Sequence, residues 1–155
     1  LEKNLKLLFL DIDGVLVTCR HRRTLKKNFD SFDPVCVDYL NIILHKTNPS
    51  IIITSTWRYL YSLVELKKHF KTNGINNNFI LGITPQLDTK GGAIIPRGKE
   101  IKSWLEKNTK ESYKISILDD ISDMEQYSPF LVQTDFETGI KEEHMKRVIE
   151  MLGEE

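Results

Sequence analysis

Apolar residues fall along this chain in short blocks separated by longer amphipathic stretches. Leu7–Leu10, Ile51–Ile53, Phe79–Leu81 and Ile115–Leu118 are such blocks, and Phe130–Val132 is a weaker fifth. Blocks this short, apolar nearly throughout, predict strands buried on both faces. The stretches between them carry helical spacing. Asp33-Pro34 predicts a helix opening, with an N-cap carboxylate followed by proline in the first turn, and Leu40, Ile43 and Leu44 mark its apolar face. Leu60, Leu63, Val64 and Phe70 predict a second helix, and Ile101, Trp104 and Leu105 a third. Met145, Val148, Ile149 and Leu152, spaced i, i+3, i+4, i+7, predict the last. Strand–helix alternation predicts an α/β fold with a mostly parallel sheet covered by helices on both faces, in which ligands sit beyond the carboxyl ends of the strands.

Composition changes this picture little. At 155 residues the chain is the size of one domain. Its 22 basic side chains balance 22 acidic ones, so any affinity for an anionic macromolecule must come from a local patch. No apolar run is long enough to span a bilayer and no signal pattern opens the chain. Two cysteines, Cys19 and Cys36, are too few for a disulfide framework, which points to reduced thiols and an intracellular, cytoplasmic location. The first residue is Leu1 rather than Met, as in a domain excised from a longer protein.

The informative residues gather at the strand ends. Asp11, Asp13 and Gly14 follow the first strand, "TSTWR" (Thr54 to Arg58) follows the second, and Asp119 and Asp120 in "LDD" follow the fourth. If the first and fourth strands are neighbours, their acids converge. An all-oxygen set suits a hard cation such as Mg²⁺, which binds through one or two carboxylates together with phosphate and water. A hydroxyl and the planar fork of Arg58 from the second strand end would then hold phosphate oxygens. Phosphate monoesters hydrolyse so slowly that an enzyme must remove on the order of 20 kcal/mol of barrier. A carboxylate nucleophile divides that work into two steps, and a second acid handles the proton.

"DIDGV" resembles the first motif of the haloacid dehalogenase (HAD) phosphatase superfamily, Asp-x-Asp-Gly-[Val/Thr], and "TST" and "ILDD" resemble its second and fourth motifs in the expected order. The resemblance spans roughly residues 6 to 140 and implies a Rossmann-like three-layer sandwich, a Mg²⁺ cofactor and an aspartyl-phosphate intermediate. By position it makes Asp11 the nucleophile and a metal ligand. Asp13 becomes the general acid/base, whose backbone carbonyl also binds metal. Ser55, with Thr54 as the alternate, is the phosphate-binding hydroxyl, and Asp119 and Asp120 complete the metal site, unranked. The third motif is usually a lysine; Arg97 stands at that place, with Lys99 and Lys90 as rivals. "STWR", "RGKEI" and "LDD" further resemble HAD domains attached to nucleic-acid repair enzymes, and small HAD phosphatases acting on phosphoproteins.

Other chemistries fit poorly. A response-regulator receiver domain would need its aspartates early in the chain and a lysine after the last strand. A thiol phosphatase needs an arginine six positions after its cysteine, where Leu25 and Ile42 stand. His21, His45, His69 and His144 show no ligand spacing, Trp104 reads as core, and Trp57 reads as packing before it reads as a substrate stack. "RHRRTLKK", Arg20 to Lys27, holds five positive charges close behind Asp13 and reads as a basic loop able to steer a large anion.

Only about 20 residues separate Asp13 from the helix at Asp33, and no insertion is long enough for a cap. An open site favours a phosphorylated macromolecule. Neutral net charge, and a phenol's readiness to leave at a pKa near 10, put a phosphoprotein, plausibly a phosphotyrosyl one, ahead of a nucleic-acid 3′-phosphate. A non-catalytic phosphate-binding module is the reading from a different class.

Overall fold

β1 (Leu5–Leu10) is fully buried over its last four residues, with its neighbours in the fold supplying cover on both faces. Around it, in a computed structural model that describes residues 4–87 and 91–155, lie β2 (Ser50–Ile53), β3 (Ile80–Ile83), β4 (Tyr113–Asp119) and β5 (Leu131–Gln133). The sheet order is β3-β2-β1-β4-β5, and every pairing is parallel. Leu10 sits level with Ile53 on one side and Leu118 on the other, so the first, second and fourth strands end together.

Side chains that alternate along these strands divide between two cores. Leu8, Leu10, Ile51, Ile53 and Leu118 pack with α2 (Pro34–Thr47), α3 (Leu63–Thr72) and α5 (Glu142–Leu152). Leu7, Phe9, Ile52, Ile115 and Ile117 pack instead with Ile101, Trp104 and Leu105 of α4 (Arg97–Asn108). The Trp104 ring meets Phe9 edge-on, with centroids 5.8 Å apart. This is the α/β, Rossmann-like three-layer arrangement that the alternation predicts.

Local chemistry sets the element boundaries, and some differ from the sequence expectation. Asp33 caps α2 by accepting from the Val35 N–H at 3.0 Å. Leu60 is not in the second long helix: Ser62 and Glu65 form a reciprocal capping box, so α3 begins only at Leu63. Leu60 and Val64 face solvent. Phe79 and Phe130 fall in 3₁₀ turns immediately before β3 and β5, and Leu81 is exposed on the edge strand.

Among the described residues, neither connection that could carry a cap does so. Between β1 and α2 there is one short helix, α1 (Cys19–Arg22), and the described residues between β3 and α4 form no helix or strand. Among the described residues no helix is long and apolar enough to cross a membrane.

α4 reaches the sheet edge through a close backbone approach. Gly98 donates to the Asp123 carbonyl at 3.1 Å, and a Cβ there would lie 2.2 Å from the Met124 carbonyl oxygen. Gly98→Ala must therefore push the start of α4 away from the segment after β4. The expected loss is about 1–3 kcal/mol, in the range for overpacking, measured by urea unfolding. An unchanged midpoint would show that this contact does not constrain the helix.

Candidate active site

Each inter-strand ladder runs one residue past its strand. The Asp11 N–H donates to the Leu118 carbonyl (3.0 Å), Thr54 to Leu10 (3.0 Å), Thr84 to Ile53 (3.0 Å) and Thr134 to Asp119 (2.9 Å). Four polar residues are thereby fixed by backbone bonds at the carboxyl edge of the sheet. Thr84 and Thr134 were not legible as site residues, because a lone threonine after a weak strand carries no signal. Thr134 binds the "DIDG" turn to β5, its hydroxyl donating to the Gly14 carbonyl at 2.6 Å.

One oxygen each from Asp11, Asp119 and Asp120 lie within 4.8 Å of one another. Gly14 makes room for this convergence: its φ is +77°, and a Cβ would stand 2.5 Å from the Asp120 carboxyl. Burial pushes the Asp119 carboxyl up to about 8, with repulsion from Asp11 adding to it against the pull of Arg97. Burial, with Asp11 beside it, also pushes Asp120 up, to about 6. Arg97 opens α4 and crosses to β1 and β4: its Nη1 lies 2.9 Å from Asp11 Oδ2 and also donates to Asp119 Oδ2. The other Asp119 oxygen accepts from the Ile121 N–H at 2.9 Å, whereas Asp120 is only half-buried. Of the candidate third-motif cations, Arg97 meets the carboxylates, Lys99 is exposed on α4, and Lys90 lies outside the described residues.

The carboxylate of Asp13 stands apart from that trio. It accepts a hydrogen bond from Trp57 Nε1 at 3.0 Å and has Arg22 4.0 Å away. Burial raises its pKa; the Trp57 bond opposes this, and the Asp11 charge adds to it. Trp57 is thus more than the packing residue its sequence context implied. Its indole is buried between Phe32, Tyr61 and His69, which fix the ring that holds Asp13.

Ser55 and Thr54 are both buried, with different partners. Ser55 Oγ caps the 3₁₀ turn Thr56–Tyr59, accepting from the Trp57 N–H at 3.2 Å. Thr54 Oγ1, level with Asp11, has no hydrogen-bond partner among the described residues. Arg58 departs from the expectation of a free phosphate fork. Its guanidinium donates to Glu100 and to the carbonyls of Thr54 and Ser55, so it braces the β2–α3 turn against α4. Glu100 escaped notice in the sequence because a glutamate in a helix's first turn is ordinary.

The basic stretch is not a free loop. Arg20 is paired with the buried Asp33 at 2.7 Å, Arg22 with Asp30 at 3.5 Å and Arg23 with Glu137; Arg22 also lies 4.0 Å from Asp13, and Lys26 and Lys27 are exposed. Cys36 is buried, and desolvation pushes its thiol up to about 12, which suits an inert core residue.

Beside Arg97 opens a cleft of about 400 Å³, bordered by Thr56, Tyr59, Gln86, Ile94 and Ile121. The chemistry that this edge can support is phosphoryl transfer at oxygen ligands. The spacing of the three carboxylates fits a hard divalent cation held at roughly 2.0–2.6 Å. Asp13 would have only its backbone carbonyl to add, since its carboxylate is engaged elsewhere.

No curated protein and no solved structure matches the chain significantly. A family model described as the HAD domain in Swiss Army Knife RNA repair proteins matches residues 7–145, taking in β1 from Leu7, all of β2 to β5 and each of the strand-end acids described above. With nearly the whole chain aligned to it, this protein belongs to that family of the HAD superfamily.

Proposed function

We propose that the chain is a Mg²⁺-dependent phosphatase that removes a terminal phosphate, most simply a 3′-phosphate, from a nucleic-acid end. The carrying observation is the meeting of Asp11, Asp119, Asp120 and Arg97 at one sheet edge. The match to a family of RNA repair proteins turns the substrate preference from phosphoprotein to nucleic acid. Neutral net charge was the argument for a phosphoprotein, but it sums over the whole surface and says little about the site mouth.

In this mechanism an Asp11 oxygen attacks phosphorus, the bond to the leaving oxygen breaks, and Asp13 delivers a proton to that oxygen. Asp13 then takes a proton from water, which attacks the aspartyl-phosphate and releases Asp11 and inorganic phosphate. Thr54 Oγ1, level with Asp11 and without a hydrogen-bond partner among the described residues, is the phosphate donor in this mechanism, while Ser55 Oγ accepts from the Trp57 N–H and keeps its own proton for a second donor bond. Arg97 offsets charge on the transferring group and orients Asp11. Asp11, Asp119, Asp120 and the Asp13 carbonyl would hold Mg²⁺, which when bound would supply charge neutralisation for the phosphate oxygens. Trp57 acts as a positioning residue, keeping the Asp13 carboxyl turned toward the leaving group.

Release of phosphate from a 3′-phosphorylated oligoribonucleotide should require Mg²⁺ and fall at least about a thousandfold in Asp11→Asn, as removal of a nucleophile demands. Full activity in excess chelator would defeat the metal assignment. Tight binding of phosphate with no turnover of any phosphomonoester would favour the phosphate-binding module.

Trp57→Phe keeps an aromatic ring but removes the donor to Asp13. Turnover of substrates with poor leaving groups should drop about tenfold, the size of one net hydrogen bond, while aryl phosphates with acidic phenols are affected less. Equal loss across a series of leaving groups would assign Trp57 to packing alone.

Metal-free protein should respond to pH in a defined direction. Asp119 and Asp120 have folded-state pKa values raised above those of the unfolded chain, so the stability they contribute is present in acid and lost as pH rises through about 6 and 8. The melting temperature without metal should therefore decline across that window, and added Mg²⁺ should restore it most at the alkaline end. A Mg²⁺-induced rise of the same size at pH 5 and pH 8 would count against these carboxylates as the ligands.

A further inference from the structure

The cleft beside Arg97 is not used by the chemistry described above. It joins the reaction centre through Arg97, which both borders the cleft and lies 2.9 Å from Asp11. Its volume falls within the range of roughly 300–1,000 Å³ typical of small-ligand sites. Thr56, Gln86, Ile94 and Ile121 supply apolar contact and a few hydrogen-bonding groups, and Arg58, Arg97, Glu100 and Asp123 add charges of both signs, Arg58 and Glu100 being paired with each other.

One wall carries an aromatic ring held in place by its neighbour. Tyr59 is 46% exposed and borders the cleft, while the Arg58 guanidinium carbon stands 4.7 Å from its ring centroid. Arg58 cannot easily move, because Glu100 and the carbonyls of Thr54 and Ser55 hold its fork. An aromatic ring fixed in this way can accept a flat ligand with little loss of side-chain freedom. On the Asp13 side of the mouth Arg22 is close by, and Lys26 and Lys27 are exposed. Tyr59 and Arg97 line the same cleft, and an aromatic face together with a cation is the combination by which single-stranded nucleic acids are held without sequence preference.

We propose that this cleft is the subsite for the terminal nucleotide of a single-stranded RNA end, whose base stacks on the Tyr59 ring while its 3′-phosphate lies against Arg97 and Asp11. The assignment rests on the nucleic-acid reading of the site and adds to it where the base goes. It also explains how an uncapped enzyme could gain binding energy next to the reacting phosphate. A phosphopeptide would leave the platform without a planar partner unless its own aromatic side chain filled it.

The test uses oligoribonucleotides with a 3′-phosphate and 2-aminopurine as the last base, bound in the presence of Mg²⁺ to the Asp11→Asn protein. Stacking should quench the fluorophore. Adding Tyr59→Phe should preserve the quench and adding Tyr59→Ala should abolish it. In the active protein, Tyr59→Ala should raise KM for the oligonucleotide at least about tenfold more than KM for a small aryl phosphate, as expected from losing one stacked base. Tyr59→Phe should restore the wild-type ratio. If the protein hydrolyses RNA 3′-phosphates but the quench survives in Tyr59→Ala, or the KM ratio does not move, the subsite is elsewhere and the phosphatase reading stands. If no RNA end is bound or hydrolysed while a phosphotyrosyl peptide is, both the subsite and the nucleic-acid reading fall.

Discussion

Three carboxylates drawn to the edge of an apolar core repel one another, and that repulsion shapes everything around them. At a separation of 4.8 Å, two full charges in an effective dielectric near 20 oppose each other by about 3–4 kcal/mol. The chain offsets this with Arg97, which touches Asp11 and Asp119 together, and with a fold rigid enough to hold the cluster. Burial first, and the neighbouring Asp11 charge second, raise the pKa of Asp119 and Asp120, so that part of the remaining cost is met by retaining protons. A bound divalent cation would relieve it more completely, which is why the arrangement favours a metal site over a polar loop.

The parallel sheet makes such a cluster possible at all. β1 is central, so its carboxyl end is flanked by those of β2 and β4, and a backbone bond beyond each strand sets the next residue in register. Two glycines then permit approaches that any side chain would block, Gly14 beneath Asp120 and Gly98 against Met124. Behind this edge the Arg58–Glu100 pair ties the β2 turn to α4, the helix that presents Arg97. Breaking that pair would leave a buried charge alone, so the brace is costly to lose even though its net worth as a pair is small.

Asp13 is treated differently from its neighbours. Its carboxyl is turned to an indole N–H and an arginine, away from the carboxylate trio. Two acids two residues apart thus meet separate environments, the condition for dividing nucleophilic and proton-transfer work between them. Among the described residues no cap covers the mouth, which has α1 on one side and the cleft beside Tyr59 and Arg97 on the other.

Strand–helix alternation, the buried blocks and the order "DIDG", "TST", "LDD" determined the fold class, the superfamily and the identity of the carboxylates, because those features are local and periodic. Helix limits were legible where a cap is written in adjacent residues, as at Asp33, and misread at Leu60, where an apolar residue falls outside the box at Ser62. Partnership was not legible. Whether Arg58 is free or bound to Glu100, whether Ser55 or Thr54 accepts the turn's N–H, and whether Trp57 touches Asp13 all depend on residues 42 or more positions apart or on the path of a turn. Arg20 likewise counted as a steering charge until the fold placed Asp33 against it. A sequence lists the charges and hydroxyls; only packing decides which of them cancel one another and which are left for a substrate.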